Sequence, residues 1–401
     1  MTDTRVVLVN GARQCGKSTL VAQFGRSRDA VWRSLDNAAN RQAAAFDPTS
    51  FVLSDRLLVI DEAQREPGLW LAIKETVDAD PRPGRFLLTG SAKVLGLRGL
   101  PDALPGRMET IELWPLSQGE IDGRPDGFVD AVFALGPELQ HQSSEDRGGY
   151  LSRVIRGGFP QAVARSGRRR EAFFDNYLAD LINRDVIQLS EIQRGPQMRA
   201  LVNLLAARSG QLLVPGNLAG RLGLPQTTVQ RYLGLLEEVF LIKRLPAWSR
   251  SIGSRAISTP KVAFVDAGIA ANLSGLDEAG LARAGGHLSG GLLEGFVAME
   301  IARQLSWSTT RVDLFHYRTK DQTEVDVVLE NRRGQVVAID VKASAVVRPD
   351  DFAGINHLGA RLGDDLLVGL VLYNGGETLA FGPKNRAMPI SALWEVGPSG
   401  E

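Results

Sequence analysis

The sequence predicts an α/β protein in which a parallel-sheet domain is followed by a helical region and then by a second α/β domain. Three observations favour this order. Short apolar runs separated by helical stretches fill the first third of the chain, as expected of a buried parallel sheet. Helix-turn-helix spacing follows in the middle. In the last third, strand-like segments and turns alternate after one long helical stretch.

Shifts in composition divide the chain into four predicted segments. The parallel-sheet domain takes residues 1–122, after which the sequence becomes rich in Gly, Asp and Ser. We predict a linker with a helical, lid-like region over 123–195 and a winged helix-turn-helix over 196–258. The second α/β domain takes residues 259–401.

The composition narrows the class of protein. Lys plus Arg and Asp plus Glu both number 46, so the zero net charge does not point to nucleic acid for the chain as a whole. The single cysteine, Cys15, excludes an internal disulfide framework and suits a reducing cytosol. No apolar run approaches the roughly 20 residues that span a bilayer, and the N-terminus lacks a signal-peptide pattern. We expect a cytoplasmic protein that does not contact a membrane.

The loop after the first apolar run fits the phosphate-binding pattern, in which Gly is followed by four residues and then by Gly-Lys-Ser/Thr. Its glycines let backbone N–H groups point at phosphate oxygens, and the helix that follows adds about half a positive charge at its N-terminus. Lys17 would reach the β- and γ-phosphates of a nucleotide, and Ser18 would bind Mg²⁺. The predicted nucleotide-binding residues are Gly11, Ala12, Arg13, Gln14, Cys15, Gly16, Lys17, Ser18 and Thr19.

Two carboxylates end the third of five predicted strands. The five runs are Val6–Val9, Val31–Leu35, Leu57–Ile60, Phe86–Leu88 and Met108–Leu113. Asp61 would hold the Mg²⁺ shell from its second side, and Glu62 would orient or deprotonate the attacking water. An ordinary strand capped by acids is the alternative, and the phosphate loop about 45 residues upstream favours the nucleotide site.

Polar residues at the end of the fourth strand and before the fifth complete the predicted site. Ser91, or failing that Thr89, would sense the γ-phosphate, because ligands of open α/β sheets lie at the carboxyl ends of the strands. Ser91 would serve equally as a helix N-cap. Phosphoryl transfer usually recruits an arginine, and Arg107 is favoured over Arg98. A solvated loop charge is the alternative for Arg107.

These motifs together resemble the bacterial and archaeal ATPases of the AAA+ superfamily that carry a C-terminal region of unknown function. The similarity covers nearly the whole chain. The segments that carry it are Gly11–Thr19, Asp61–Gln64, Leu88–Ser91, Leu104–Arg107 and Trp114–Ser117. It implies a P-loop, AAA+-like domain with ATP and Mg²⁺ as cofactors. Members of the family usually have a longer leader before the first strand, and we expect its absence to alter assembly or regulation.

An AAA+ ring would imply a homo-oligomer. In such a ring each ATP site takes an arginine from a neighbouring copy, so Arg107 would act either in its own site or in the site of its neighbour. The sequence leaves the oligomeric state open.

The middle of the chain has the spacing of a winged helix. The predicted elements are a helix over Met198–Ala207, a helix over Asn217–Leu222 capped by Asn217, a turn at Gly223–Pro225, a helix over Gln226–Val239 and a hairpin wing over Leu241–Trp248. Residues of the third helix and the wing suit phosphate and base contacts, which makes DNA a predicted partner. These are Gln226, Thr227, Thr228, Gln230, Arg231, Lys243 and Arg244.

Residues 241–261 strengthen the DNA hypothesis because they include five basic residues and no acid. The five are Lys243, Arg244, Arg250, Arg255 and Lys261. Many winged helices instead pack against protein, and that alternative stays open.

The last third carries the residue pattern of restriction-endonuclease-like nucleases. Asp326 lies in one predicted strand, Asp340 and Lys342 end the next, and Glu294 lies on the preceding helix. Asp340 and Lys342 share a strand face because the side-chain period of a strand is two. Asp326 and Asp340 would hold Mg²⁺ with help from Glu294, and the metal with Lys342 would activate water. An exposed hairpin with a salt bridge to Lys342 is the alternative.

The resemblance supports the nuclease-like interpretation. The C-terminal region of the family has matching Glu, Asp and Glu-x-Lys positions, and Asp-x-Lys replaces the last of these here.

Three functions remain open from the sequence. The leading hypothesis is an Mg²⁺-dependent ATPase whose nucleotide state controls DNA binding and cleavage by the C-terminal region. The second is a non-catalytic, nucleotide-dependent switch that acts on protein partners and keeps an inactive nuclease-like domain as a scaffold. The third, weaker one is a transcriptional regulator that uses the winged helix alone.

Overall fold

A computed structural model describes residues 1–91, 104, 106–124, 126–186, 195–251, 253, 255, 258–283 and 286–398. Arg98, the second candidate for the catalytic arginine, lies outside these residues. The chain forms two compact units. The N-terminal unit takes Met1–Pro115, Asn183–Ile192 and Glu238–Phe240, and the C-terminal unit takes Leu116–Ile182, Gln193–Glu237 and Leu241–Glu401.

The N-terminal unit is built on a five-stranded parallel sheet with the strand order β2-β3-β4-β1-β5. Its strands are β1 (Val6–Gly11), β2 (Val31–Ser34), β3 (Leu58–Asp61), β4 (Phe86–Gly90) and β5 (Met108–Leu113). Its helices are α1 (Lys17–Ser27), α2 (Ala38–Phe46), α3 (Pro48–Phe51) and α4 (Leu69–Ala79). All five predicted apolar runs are strands, which confirms the parallel-sheet prediction for this unit.

Burial on both faces explains why the sequences of β1, β3 and β4 are mostly apolar. Val6 and Leu8 of β1 lie in one core cluster, and Val7 and Val9 lie in the other. Alternate side chains of a strand point to opposite faces, so β1 has apolar partners on each side. Strand β1 lies between β4 and the edge strand β5, so it has a backbone neighbour on each side.

The C-terminal unit contains a six-stranded mixed sheet with the order β12-β13-β11-β10-β9-β8. Strands β8, β9 and β10 are antiparallel neighbours, whereas β11 runs parallel to β10 and to β13. The strands are β8 (Val312–Arg318), β9 (Glu324–Asn331), β10 (Val336–Lys342), β11 (Leu366–Tyr373), β12 (Leu379–Ala380) and β13 (Asn385–Pro389). The strands predicted over Val312–Tyr317, Glu324–Glu330, Val336–Lys342 and Leu366–Tyr373 are therefore present.

The C-terminal unit also contains helices from three stretches of the chain. Helices before the helix-turn-helix region are α5 (Gln118–Asp122), α6 (Phe128–Leu135), α7 (Arg147–Arg156), α8 (Pro160–Val163) and α9 (Arg168–Asp180). The middle helices are α10 (Gly195–Ala206), α11 (Pro215–Leu222) and α12 (Gln226–Glu238). Helices α13 (Ala267–Leu273), α14 (Glu278–Arg283), α15 (Gly286–Gln304), α16 (Ala353–Leu362) and α17 (Ala392–Glu395) follow. The described residues include no helix that is both long and apolar enough to cross a membrane.

The segment predicted as a linker contains a buried helix. The backbone N–H of Val129 in α6 donates to the Gln304 side chain at 3.1 Å, and Asp130 accepts from Ser308 at 2.8 Å and from the Thr310 N–H at 2.8 Å. The Gly, Asp and Ser content of residues 122–149 suggested a domain boundary with a lid-like connection. Instead, the apolar residues of α6 pack inside the C-terminal unit.

The helix-turn-helix spacing is present, with two local corrections. Gly223 ends α11 in the left-handed region at a φ of 62° and makes the predicted turn. However, α11 begins at Pro215, so Asn217 lies inside the helix and is not its cap. Proline suits the first helical position, since it lacks the N–H that would have no partner there.

The wing prediction was also wrong in its strand partners. Residues 241–248 do not form a hairpin by themselves, because β6 (Ile242–Leu245) pairs antiparallel with β7 (Lys261–Phe264). Residues 210–213 border β7 on its other side, where the Gly210 N–H donates to Val262 O and the Leu213 N–H to Pro260 O, both at 2.8 Å. The strand pair therefore joins residues on both sides of the predicted boundary at 258.

Candidate functional site

The phosphate loop connects β1 to α1 through a backbone that only glycine fits at its ends. Gly11 lies so close to β5 that a Cβ on it would be 2.1 Å from the Leu113 carbonyl oxygen. Gly16 has a φ of 108°, in the left-handed region, and forms the N-cap of α1. No side chain caps this helix, so the N–H groups of its first turn face the loop without a side-chain acceptor.

Lys17 is buried inside this loop with only neutral partners. Its side chain is 5% exposed, and Nζ donates to the Gly11 carbonyl at 3.0 Å and to the Ala12 carbonyl at 2.7 Å. Carbonyl oxygens bind an ammonium more weakly than carboxylates or phosphates do. The charge of Lys17 is therefore available to an anion that enters the loop.

Asp61 is held by hydroxyl groups from three other elements. Ser18 Oγ donates to Asp61 Oδ1 at 2.8 Å, Thr89 Oγ1 donates to the same oxygen at 2.7 Å, and Ser34 Oγ lies 3.4 Å from Oδ2. The structure thus brings together Ser18, Asp61 and the alternative sensor Thr89. Ser34 was missed by the sequence interpretation, although a polar residue at the carboxyl end of a strand was the signal that could have found it.

Glu62 and Ser91 form the second part of this network. Ser91 Oγ donates to Glu62 Oε2 at 3.3 Å, and Gln64 Nε2 donates to both Glu62 Oε2 and, at 3.1 Å, Ser91 Oγ. Thr89 Oγ1 accepts the Glu62 N–H at 2.9 Å, which joins the two parts. Gln64 Oε1 is buried and has no hydrogen-bond partner, so one polar atom beside Glu62 remains unsatisfied.

The backbone at Glu62 is unusual. With φ at 59° and ψ at 44°, Glu62 adopts the left-handed conformation that costs a non-glycine residue roughly 1 kcal/mol or more. This conformation turns the chain sharply after β3, where both Asp61 and Glu62 belong to the network.

These residues fit a magnesium nucleotide. The Ser18 hydroxyl and the Asp61 carboxylate are the hard oxygen ligands that Mg²⁺ prefers, and they are already in hydrogen-bond contact. The uncapped helix N-terminus and the Lys17 ammonium suit phosphate oxygens.

Arg107 and Cys15 have other partners. The Arg107 guanidinium forms an ion pair with Asp78 on α4, with Nη2 3.0 Å from Oδ2, and this pair lowers the pKa of Asp78. The role of Arg107 in phosphoryl transfer stays a prediction. The Cys15 thiol lies 3.4 Å from the Leu113 carbonyl, and burial raises its pKa, so the thiol is protonated at neutral pH.

A second constellation lies in a cavity of about 850 Å³ in the C-terminal unit. The structure brings Glu294, Asp326, Asp340 and Lys342 together along its wall. Arg208, Gln211 and Asn217 from the helix-turn-helix region line the same cavity. The convergence of the four predicted residues agrees with the spacing argument made from the sequence.

The sequence interpretation missed Lys261, which lies at the centre of this constellation. Lys261 was grouped with the basic residues expected to contact DNA, but it is only 2% exposed. Its Nζ lies 2.6 Å from Glu324 Oε1, 2.8 Å from Asp326 Oδ1 and 3.5 Å from Glu294 Oε2. Burial lowers the pKa of Lys261, but these carboxylates outweigh burial and raise it above its usual range.

Burial and neighbouring charges shift the pKa values of the carboxyl groups in the cavity. Burial raises the pKa of Asp326, yet Lys261 and the Val341 N–H, 3.0 Å from Oδ2, bring it below the ordinary value. Burial and the neighbouring Asp326 raise the pKa of Asp340 well above its ordinary value. The same two causes raise the pKa of Glu294 to about 7. Asp340 and Glu294 therefore hold a proton more tightly than an ordinary carboxyl group does.

The described residues contain no group of three or more His, Cys, Asp or Glu side chains arranged to hold a metal ion. In the C-terminal cavity an ammonium also faces two carboxylates, those of Glu294 and Asp326, to which the sequence assigned Mg²⁺. The arrangement as built does not fit a divalent cation.

The predicted DNA-facing residues of α12 are accessible. Gln226, Thr227, Gln230 and Arg231 are exposed, and Thr228 is half-buried. The basic stretch that follows differs from expectation because acids elsewhere in the unit pair with it.

Three of its arginines form ion pairs. The distances are 2.8 Å for Arg244 Nε–Glu237 Oε2, 2.9 Å for Arg250 Nη2–Asp365 Oδ2 and 2.7 Å for Arg255 Nη2–Glu330 Oε2. Together with the buried Lys261, these pairs reduce the charge that the stretch offers to DNA. Residues 241–261 contain no acid themselves, but the fold brings acids from other parts of the chain into contact with them.

Comparisons with known proteins match three stretches of the chain to family models. Residues 3–122 match an AAA domain, residues 148–280 match a domain of unknown function (DUF8612), and residues 289–393 match a second one (DUF4143). An AAA domain indicates nucleotide binding and hydrolysis in general, and this supports the P-loop prediction.

Full-length relatives extend the match. The chain is 31% identical over 328 residues to uncharacterized protein Rv2008c of Mycobacterium tuberculosis and to uncharacterized protein Mb2031c of Mycobacterium bovis. The aligned region covers 81% of this chain and 67% of each relative. The chain belongs to the family of these two mycobacterial proteins and has an AAA domain at its N-terminus.

Proposed function

We propose that this protein binds ATP with Mg²⁺, hydrolyses it, and uses the nucleotide state to control a DNA-contacting C-terminal unit. The observation that carries the ATPase proposal is the hydrogen-bonded network that joins Ser18, Asp61, Thr89, Glu62 and Ser91. Helix α1 and the strands β3 and β4, with the residues directly after these strands, contribute to it, and the residue types are those that phosphoryl transfer requires.

In this proposal the residues of the phosphate loop and of the network divide the work of binding Mg²⁺, binding phosphate and activating water. Ser18 and Asp61 hold Mg²⁺, which neutralises charge on the β- and γ-phosphates when it is bound. Lys17 leaves its carbonyl partners for the phosphate oxygens, because an anion is the stronger acceptor. Glu62 accepts a proton from the attacking water or orients it, and Ser91 and Gln64 keep the Glu62 carboxylate in place.

DNA contact is the part of the proposal that rests on the C-terminal unit. Its middle region has the order helix, strand-like segment, helix, helix, strand, strand, with residues 210–213 and β6 on the two sides of β7. This order suits a winged helix whose third helix, α12, meets the nucleic acid. Exposed Gln226, Thr227, Gln230 and Arg231 would make the contacts.

A non-cleaving switch is the second candidate, and the position of Lys261 favours it. The ammonium of Lys261 neutralises the Asp326 carboxylate, so Asp326 and Asp340 do not fit Mg²⁺-dependent cleavage. On this hypothesis the nuclease-like domain is a scaffold, and the nucleotide state changes what it presents to a protein partner.

Steady-state ATP hydrolysis with and without duplex DNA tests the proposal. Lys17→Ala should abolish hydrolysis, and Lys320→Ala, the same change at an exposed lysine, should leave it unchanged. Stimulation by DNA that disappears in Lys17→Ala supports control of a DNA-contacting unit. Hydrolysis that ignores DNA favours the protein-facing switch, and hydrolysis that survives Lys17→Ala contradicts the ATPase assignment.

A further inference from the structure

A lysine ammonium lies beside the carboxylates of the C-terminal cavity. Three carboxylates, those of Glu294, Glu324 and Asp326, surround one nitrogen, Lys261 Nζ, at 2.6 to 3.5 Å. Lys261 is 2% exposed, whereas all three acids line the cavity. The ammonium is thus buried next to carboxylates of residues that line the cavity.

The backbone fixes this lysine in place. Lys261 is the first residue of β7, where it pairs with Leu245 of β6 on one side and with Leu212 on the other. A residue held between two backbone neighbours has little freedom to withdraw, and its buried side chain has no nearby solvent to enter. The position of the ammonium therefore follows from the fold of the strand and not from a mobile loop.

Two of the carboxylates are also committed elsewhere. Arg318 Nη1 lies 2.5 Å from Glu324 Oε2, the oxygen that does not contact Lys261. Asp326 Oδ2 accepts the Val341 N–H at 3.0 Å while Oδ1 accepts from Lys261. A divalent ion would have to displace these partners or add a second positive charge within a few ångströms of the ammonium, which Coulomb repulsion opposes.

We propose that the Lys261 ammonium takes the place of a metal ion in the C-terminal cavity and prevents divalent ions from binding there. Its removal, with the carboxylates retained, would leave a set of hard oxygen ligands that suits Mg²⁺ or Mn²⁺. The proposal concerns metal occupancy alone and depends on neither ATP hydrolysis nor DNA binding.

Binding of Mn²⁺ to the full-length protein without nucleotide tests the proposal by electron paramagnetic resonance of the free ion. Wild type and Asp326→Asn should bind Mn²⁺ equally, since wild type has no site that uses Asp326. Lys261→Met keeps the length and apolar stem of the lysine and removes its charge. It should gain one site, at least about tenfold tighter than any in wild type, and Lys261→Met/Asp326→Asn should lose it again.

The controls separate the two metal positions. The phosphate-loop residues are unchanged in every variant, so Mn²⁺ bound there contributes equally to all of them. A wild-type site that Asp326→Asn removes would overturn the proposal, as would a folded Lys261→Met that gains no site. If Lys261→Met does not fold, the comparison of wild type with Asp326→Asn decides by itself.

Discussion

The phosphate loop and the C-terminal cavity each contain a buried lysine, but the two lysines have different partners. Lys17 donates to two backbone carbonyls, and Asp61 is held by hydroxyl groups. Lys261 instead contacts carboxylates directly. In the first site the opposite charges are kept apart and remain available to a ligand. In the second they neutralise each other, so similar residue types produce one site prepared for a ligand and one that is already filled.

The largest expected effect concerns Glu62, which should matter to catalysis more than to nucleotide binding. Glu62→Gln removes the proton acceptor and keeps the shape, so kcat for ATP should fall by about 10²–10⁴-fold with little change in KM. Glu75→Gln, the same change at an exposed position of α4, should have no effect. Steady-state kinetics measure both variants. A fall in kcat of less than about threefold would remove Glu62 from the chemistry.

The two lysines should differ in what they contribute to stability. Lys261→Ala leaves buried carboxylates without their cation and should lower the free energy of unfolding by about 3–5 kcal/mol. Lys17→Ala removes hydrogen bonds to carbonyls only and should cost about 1–3 kcal/mol. Urea unfolding at pH 7 measures both. An equal or larger loss for Lys17→Ala would contradict the proposed difference between the sites.

Another buried carboxylate, that of Asp126, should make the stability of the protein depend on pH. It bonds to the Ser117 hydroxyl, and burial followed by the charges of Glu300 and Glu120 raises its pKa to about 7. Because the folded pKa exceeds the ordinary value of 3.8, the folded state binds the proton more tightly, and this contribution to stability falls as pH rises from about 4 to 7.

Asp126→Asn should remove this pH dependence. The variant should be more stable than wild type at pH 8 by about 4 kcal/mol, since the shift from 3.8 to about 7 is about three pKa units, and nearly equal to it at pH 4. Thermal unfolding across this range measures the difference. A wild-type protein that gains stability relative to the variant as pH rises would show that Asp126 is stabilised in its charged form.

The smallest expected effect is on DNA binding, where an exposed arginine should contribute more than an arginine held in an ion pair. Arg231 on α12 is exposed, whereas Arg244 is paired with Glu237. Arg231→Ala should weaken duplex binding several-fold and lower the salt slope by about 1, whereas Arg244→Ala should change neither. Fluorescence anisotropy over a range of salt concentrations measures both. Equal losses would show that Arg244 leaves Glu237 to contact the phosphate backbone.

Much of the fold could be predicted because its signals are local. The five apolar runs of the first sheet and the strands β8 to β11 are encoded in consecutive residues, and so is the turn at Gly223. The wing could not be predicted in this way, because the partner of β6 lies about 20 residues further along the chain in β7. Asn217 was misassigned as a cap because Pro215, two residues earlier, starts the helix better.

The sequence by itself determined the phosphate loop, the Asp61-Glu62 strand end and the positions of Glu294, Asp326, Asp340 and Lys342, since each depends on spacing within a motif. Tertiary structure alone decided the environment of Lys261 and of the arginines that follow the helix-turn-helix. The physical reason is that the state of a charge depends on which other charges lie within a few ångströms and on how much water is excluded. Those neighbours come from distant parts of the chain, such as Asp326 beside Lys261.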